Sequence, residues 1–262
     1  MTLSKIFLTT LLLLTMNSVH ASVQIMATRI IFDEKDKEET IRVNNMGTTP
    51  SLTQVWLESD SNHNIDNTVK QDLPFVINPP VSRINVGKGK TFRVFATDVA
   101  RNTYAQDRET LLWLNILDIP PVDDNHKPGE LEYKEEMKND NENKDRNLLS
   151  FAFKTKLKFF YRPDGLKSDP ISAADQVVWS ANKVGNKIHI KGNNKNAYHV
   201  SMAKLTLATG SEDQELPGDM IKPFSSNDFV FDAFGQAKKF KLTYTYITDL
   251  GAFVPKEVDI EI

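Results

Sequence analysis

Short β-type runs, separated by turn residues, dominate this sequence and favour an all-β fold. They are rich in Val, Ile, Phe, Tyr and Thr, as strands are, and no amphipathic helix of convincing length interrupts them. The first series has seven runs, which is the strand count of an immunoglobulin-like sandwich, and the second has five. The runs are 23–32, 39–45, 51–59, 74–80, 90–98, 109–120 and 150–163, then 175–181, 186–192, 197–208, 238–247 and 258–262.

The segment between the two series is rich in Pro, Gly and Asp, and it reads as a linker. It is "RPDGLKSDP", residues 162–170. The pattern therefore predicts two β-sandwich domains in tandem, at 22–163 and 164–262.

The N-terminus has the three parts of a secretory signal peptide. Lys5 provides a positive charge, residues 6–16 are apolar, and residues 17–21 end with small side chains at the −3 and −1 positions. The apolar stretch is too short for a membrane span. The alternative to a signal peptide is a buried N-terminal helix. We expect residues 1–21 to be removed on export and the mature chain to begin near Ser22.

The chain offers little that resembles an active site. It has no cysteine and a net charge of −3, so we expect no thiol chemistry and no nucleic-acid partner. "GKGKT" at 87–91 resembles part of a phosphate loop, but the first glycine of that motif is replaced by Ile84. The five histidines lack metal-ligand spacing, and no GxSxG elbow is present; they are His20, His63, His126, His189 and His199. We therefore predict a protein that is not an enzyme and has no cofactor or metal.

The run at 150–163 has two distinct faces. Alternation predicts a half-buried strand whose lysine face is opposite its apolar face. It follows residues 122–147, which hold nine acidic and five basic residues and are expected to form a mobile loop. The apolar set is Leu149, Phe151, Phe153, Thr155 and Leu157, and the lysines are Lys154, Lys156 and Lys158. Such a strand either completes the protein's own core or invites another chain to pair with it.

"YAQDRETLLWLNILDIP", residues 104–120, resembles the signature of the periplasmic pilus-assembly chaperones of the chaperone–usher pathway. Further matches to this family follow in order along nearly all of the mature chain: "ATRIIF" at 27–32, "INPPVSRINVGKGKTFRV", "KTKLKFFYRP" and "YTYITDLGA" at 244–252. The resemblance implies two immunoglobulin-like domains in an L- or boomerang-shaped arrangement. It also implies a periplasmic chaperone that lends its seventh strand to fimbrial subunits, caps them without ATP, and delivers them to an outer-membrane usher.

The resemblance also assigns roles to individual residues. Leu149, Phe151 and Phe153 become the side chains lent to the subunit. Arg29 and Lys158 become the anchor for the subunit's C-terminal carboxylate, although Lys154 and Lys156 lie close enough to compete for that role. Because alternation puts Lys158 opposite the phenylalanines, a bend or bulge in the strand is expected.

A set of charges bridging the two domains is also implied, and by position these are Glu109, Arg162 and Asp249. Two features depart from the family pattern. Leu250 replaces a familiar tyrosine, and the long loop before the seventh strand has no cysteines to close its base.

Two alternatives from other classes remain. One is a surface structural protein of tandem immunoglobulin-like domains, although a polymerising pilin is expected to carry a donor extension before 23–32. The other is an exported hydrolase, which requires a catalytic cluster in space. An exposed apolar strand also predicts possible self-association of the free chaperone.

Overall fold

The computed structural model describes residues 23–60, 73–121, 151–166, 169–210 and 212–262. The predicted signal peptide, the whole charged loop 122–147, and Leu149 lie outside the described residues, as do residues 167 and 168 of the predicted linker. Within the described ranges, no helix is long and apolar enough to cross a membrane.

In the described part of the first unit there are nine strands and one short helix. The strands are β1 (Val23–Ile25), β2 (Arg29–Asp33), β3 (Glu39–Asn45), β4 (Ser51–Ser59), β5 (Phe75–Asn78), β6 (Val81–Ile84), β7 (Gly89–Ala96), β8 (Thr110–Ile119) and β9 (Phe153–Arg162), with α1 (Ala100–Thr103) before β8. They make one sheet in the order β1-β3-β7-β5 and another in the order β2-β9-β8-β4-β6.

The second unit has eight strands among its described residues. They are β10 (Val178–Val184), β11 (Lys187–Asn194), β12 (Val200–Thr209), β13 (Glu212–Pro217), β14 (Met220–Ile221), β15 (Ser225–Asp232), β16 (Lys239–Ile247) and β17 (Phe253–Glu261). One sheet runs β10-β11-β15 and the other runs β13-β12-β16-β17, with β14 pairing to β12.

Each unit has its own apolar core between its two sheets, as in an immunoglobulin-like sandwich. In the first, alternate residues of facing strands point inward, such as Phe32 from β2 and Phe92 from β7, both 0% exposed. In the second, Leu205 and Leu242 are likewise fully buried. The predicted all-β fold of two tandem sandwiches is confirmed.

The C-terminal half of strand β9 is packed firmly into the core of the first sandwich. Phe159 packs against Phe32 and Phe75, with ring centroids 6.0 and 5.4 Å apart. Tyr161 joins the same cluster at 5.9 Å from Phe75. Each buried aromatic side chain contributes about 1.5–3 kcal/mol by leaving water.

The strand count of the first unit differs from the sequence prediction. The run 23–32 is not one strand, because β1 pairs with β3 in one sheet while β2 pairs with β9 in the other. The chain between them crosses from sheet to sheet, which hydrophobic alternation does not reveal. The region after 74 also contributes two strands rather than one, β5 and β6.

Three strands of the second unit were missed by the sequence prediction: β13, β14 and β15. β13 is mostly acidic, β14 has only two residues, and β15 begins with "SSND", which is typical of a turn. Only Phe229 and Phe231 of β15 face the core. Pairing with β11 makes this a strand, which is a tertiary effect that local composition does not show.

Candidate functional site

The apolar face of β9 continues beyond the protein's own core. Phe159 and Tyr161 are buried, but Phe153, on the same face, is 65% exposed. Phe151, just before the strand, is 60% exposed. Leu149, the third predicted donor residue, lies outside the described residues. Two large aromatic side chains are therefore presented to solvent by a strand whose other half is anchored in the core.

The same half of β9 also has an open backbone edge. β8 pairs with β9 from Phe153 to Tyr161, whereas β2 pairs only with residues 158–162 on the other side. In the part of the chain that the structure describes, no strand pairs with the β2 side of residues 153–157. Five residues of strand span about 16 Å, so this edge leaves hydrogen-bonding groups available along that length.

Arg29 and Lys158 lie side by side where the open edge ends. They are directly paired in the parallel register of β2 and β9, and both point to the outer face of the sheet, toward the second sandwich. Arg29 Nη1 donates to the Ile247 carbonyl at 3.1 Å, and Lys158 Nζ donates to Ser201 Oγ at 3.0 Å. The two cations therefore lie in the cleft between the sandwiches.

The expected bend or bulge in β9 is wrong. Its pairing with β8 runs from Phe153 to Tyr161 without a register shift. No irregularity is needed, because the cleft lies on the lysine face of the sheet and the exposed phenylalanines lie on the core face. Alternation alone separates the two features.

Burial dominates the electrostatics of this pair. It lowers the pKa of Arg29, although the carboxylates of Asp249 and Glu109 partly counteract it. Burial also lowers the pKa of Lys158, and the neighbouring positive charge of Arg29 lowers it further. Arg29 is only 8% exposed, and its buried Nε has no hydrogen-bond partner among the described residues. Two poorly solvated, adjacent cations form a site that an anion would stabilise.

Lys154 and Lys156 are placed differently. Both interact with Glu58, at 3.6 and 3.8 Å, and both lie over tryptophan rings, Lys154 over Trp56 and Lys156 over Trp113. They lie nearer the N-terminal end of β9 than Lys158 does, and they already have an anionic partner in Glu58. Of the three lysines, only Lys158 lies beside Arg29.

The structure brings Glu109, Arg162 and Asp249 together at the junction of the sandwiches. Arg162 donates to Glu109 Oε1 from Nη2 at 2.6 Å and from Nε at 3.0 Å. Its Nη1 reaches Asp249 Oδ2 at 3.0 Å. Glu109 Oε2 accepts from the backbone N–H of His199 at 2.9 Å and lies 3.1 Å from its Nδ1. The guanidinium also stacks on the ring of Tyr198 at 4.9 Å.

The pKa of Glu109 reflects this network. Burial by itself would raise the pKa, but the hydrogen bonds from His199 and the charge of Arg162 outweigh it and hold the pKa below its usual range. The carboxylates correspondingly raise the pKa of Arg162 in spite of its burial. Both shifts favour the charged forms of Glu109 and Arg162, and the contacts of Arg162 with Glu109 and Asp249 link the two sandwiches.

Sequence reasoning missed three contributors to the site: Ser201, His199 and the Ile247 carbonyl. Only their position opposite the first sandwich gives them a role, and no local motif marks them. Among the described residues, no cluster of three or more histidine, aspartate or glutamate side chains is arranged to hold a metal ion.

Both units of the chain match family models of known proteins. A family model for the PapD N-terminal domain of pili and flagellar-assembly chaperones matches residues 22–167. A second, for the C-terminal domain of the pili assembly chaperone PapD, matches residues 172–258.

Individual relatives match over most of their length. The probable fimbrial chaperone YadV of Escherichia coli (strain K12) is 30% identical over 235 residues, which cover 89% of this chain and 88% of YadV. The YadV crystal structure has a TM-score of 0.71 at 28% identity, covering 91% of this chain and 100% of that one. The CupB2 chaperone of Pseudomonas aeruginosa has a TM-score of 0.68 at 26% identity, covering 90% and 100%. This chain therefore belongs to the pili assembly chaperone family, as the signature at 104–120 predicts.

Proposed function

We propose that this protein is a periplasmic chaperone that binds fimbrial subunits by lending them the N-terminal half of β9. The observation that carries the proposal is that exposed apolar side chains and an open strand edge occur together on β9, and that the edge ends at a buried cation pair formed by β9 and β2. Strand addition uses these three elements: backbone hydrogen bonds for affinity, alternate side chains for specificity, and a fixed end for register.

The geometry of β2 supports a direction for the added strand. β2 runs parallel to β9 and begins at Arg29. A subunit strand that pairs with residues 153–157 in the same direction would lie in line with β2, and its C-terminus would meet Arg29 and Lys158. The terminal carboxylate would then receive donors from a planar guanidinium and from an ammonium group. Both cations are poorly solvated without it.

The lent side chains are Leu149, Phe151 and Phe153 in this proposal. Phe151 and Phe153 are more than half exposed, so transferring them to an apolar groove of a subunit would contribute about 1.5–3 kcal/mol each. The same exposure supports self-association of the free chaperone as a way of covering these side chains.

The Glu109–Arg162–Asp249 network serves a structural role in this proposal. By holding the second sandwich against the outer face of the first, it keeps Ser201 and the Ile247 carbonyl opposite Lys158 and Arg29. Chaperone action of this kind consists of binding and release, and it requires neither a cofactor nor chemical turnover.

The compartment and the remaining partner follow from the family. We propose that residues 1–21 are a cleaved signal peptide, with sandwiches at 22–163 and 164–262, and that the mature protein works in the periplasm. Release would occur at an outer-membrane usher, where a strand of another subunit replaces the lent one. The alternative of a surface structural protein is less favoured, because the matched family consists of assembly chaperones.

Affinity capture tests the proposal. The chaperone is co-expressed with a candidate subunit encoded beside it and is isolated from the periplasm as wild type, Arg29→Ala, Lys158→Ala or Lys154→Ala. A one-to-one complex is expected with wild type and with Lys154→Ala, the matched control on the same strand face, and loss of the complex is expected with the other two. A complex that survives both cleft substitutions would discard the anchor. Absence of any complex with wild type would contradict the chaperone function.

A further inference from the structure

A cavity of about 480 Å³ lies beside Arg29, between the two sandwiches. Phe160 contributes from the first sandwich, and Ala173, Ala174, Val200 and Tyr246 contribute from the second. Its size falls within the range of small-molecule sites, roughly 300–1,000 Å³. The wall is largely apolar, although it lies next to the cation pair.

The mouth of the cavity carries two apolar side chains that are almost fully in solvent. Leu250 is 98% exposed and Ile171 is 76% exposed, and both belong to the lining. Leu250 is held in this position by a tight loop: the Thr248 amide donates to the Ala252 carbonyl at 2.9 Å, and the Gly251 amide donates to the Thr248 carbonyl at 2.9 Å. The loop therefore presents its leucine outward instead of folding it onto the core.

Among the lining residues that the structure describes, Arg29 has a buried donor without an acceptor. Glu109 and Asp249 are both engaged by Arg162. Arg29 donates one N–H to the Ile247 carbonyl, and its buried Nε–H has no acceptor among the described residues. A buried donor without an acceptor is costly, so a ligand that brings a carboxylate gains from satisfying it. The remaining surface favours a ligand whose body is apolar.

We propose that this cavity receives the side chain of the last residue of the bound subunit and selects a bulky apolar one. This inference rests on the proposed function, since the carboxylate held by Arg29 and Lys158 belongs to that same residue. Arg29 itself lines the cavity, so a side chain attached one carbon away from a carboxylate at Arg29 would be within reach of the apolar wall. The cavity thus selects the side chain of the terminal residue, whereas the two cations bind its carboxylate whatever the side chain is.

A titration with small carboxylates tests the cavity without any subunit. Backbone amide NMR shifts of the isotope-labelled mature protein are followed with N-acetyl-L-phenylalanine, N-acetylglycine and N-acetyl-L-phenylalaninamide. The first should shift amides in 199–201 and 248–252. The other two should bind at least about tenfold more weakly, because one lacks the apolar side chain and the other lacks the carboxylate. Equal affinity for the phenylalanine and glycine compounds, or shifts confined to other regions, would overturn the proposal.

Two substitutions sharpen the titration. Leu250→Asp puts a negative charge at the mouth of the cavity, where it would repel the carboxylate of the ligand. It should weaken the binding of N-acetyl-L-phenylalanine about tenfold. Val184→Asp is the matched control, since Val184 is 56% exposed and lies on β10, outside the cavity lining. Both side chains point into solvent, so both variants should fold. Equal binding by the two variants would contradict the cavity assignment.

A capture experiment separates this inference from the function on which it rests. The candidate subunit is co-expressed with its last residue either unaltered or replaced by glycine. Reduced capture of the glycine form is the expected result. Equal capture of both forms overturns the cavity proposal and leaves the chaperone function standing. Capture of neither form contradicts the function, and the titration then decides only whether the cavity binds apolar carboxylates.

Discussion

Replacing Glu109 with glutamine should destabilise the protein far more than replacing Asp249 with asparagine, although both carboxylates bind Arg162. The Glu109 side chain is 2% exposed, whereas that of Asp249 is 41% exposed. Removing one partner of a buried ion pair costs about 3–5 kcal/mol, because the other charge is left uncompensated. An exposed pair is worth about 0–1 kcal/mol.

We expect the lower end of that range for Glu109→Gln, about 3 kcal/mol, because Arg162 keeps its contact with Asp249. The amide adds a further cost. Glu109 accepts from Arg162 on one oxygen and from His199 on the other, so a glutamine NH₂ must face a donor on one side. Asp249→Asn should cost less than 1 kcal/mol.

Urea unfolding followed by tryptophan fluorescence measures both variants. Trp56 and Trp113 report on the first sandwich and Trp179 on the second. With a slope of about 1–3 kcal/mol per molar urea, a loss of 3 kcal/mol moves the midpoint by about 1–3 M. Equal midpoint shifts for the two variants, or a loss below 1 kcal/mol for Glu109→Gln, would refute the reasoning from burial.

The same variant gives a pH dependence with a definite sign. The folded protein holds the pKa of Glu109 below its unfolded value, which is about 4.3. The corresponding stability is complete above that value and is lost as the pH falls through the lower folded pKa. Glu109→Gln should therefore lose less stability than wild type between neutral pH and acid. If the free energy of unfolding of the variant and of wild type fell by the same amount toward acid pH, Glu109 would not contribute to the acid sensitivity.

Two further substitutions test the remaining elements of the site. Gly251→Ala should destabilise the second sandwich by about 1–2 kcal/mol or more in urea unfolding. The reason is that φ is +82° at this position and that the new Cβ would lie 2.6 Å from Thr28 Oγ1. An unchanged stability would mean that the loop is not packed against the first sandwich. Phe153→Ala should change stability by no more than about 0.5 kcal/mol while reducing subunit capture, whereas Phe159→Ala, on the same face but buried, should cost about 3–5 kcal/mol. Unimpaired capture by Phe153→Ala would remove that side chain from the lent set.

The sequence predicted the fold class well because strand periodicity is a local property. Alternation in 149–158 already separated an apolar face from a lysine face, and the structure keeps that separation along β9. Element counts were less accurate wherever pairing overrode composition. The run 23–32 divides between two sheets, and the polar start of β15 becomes a strand through β11.

The candidate site was partly accessible from the sequence, chiefly through the resemblance that singled out Arg29, Lys158 and the charges 109, 162 and 249. Its physical character was not accessible. The residues near Arg29 in the sequence do not show what its side chain contacts. Its hydrogen bond to the Ile247 carbonyl, 218 positions away, places it in the cleft. The same holds for Ser201 opposite Lys158 and for His199 beneath Glu109.

Residue type and spacing along the chain are enough to predict the two sandwiches, the two-faced strand and the family signature. They do not predict that the core ends partway along β9, which leaves Phe153 exposed and Phe159 buried on one face. Only the tertiary structure decides this, and it also places the cleft on the lysine face. The physical reason is that burial and desolvation depend on which distant segments pack together, and alternation carries no information about that packing.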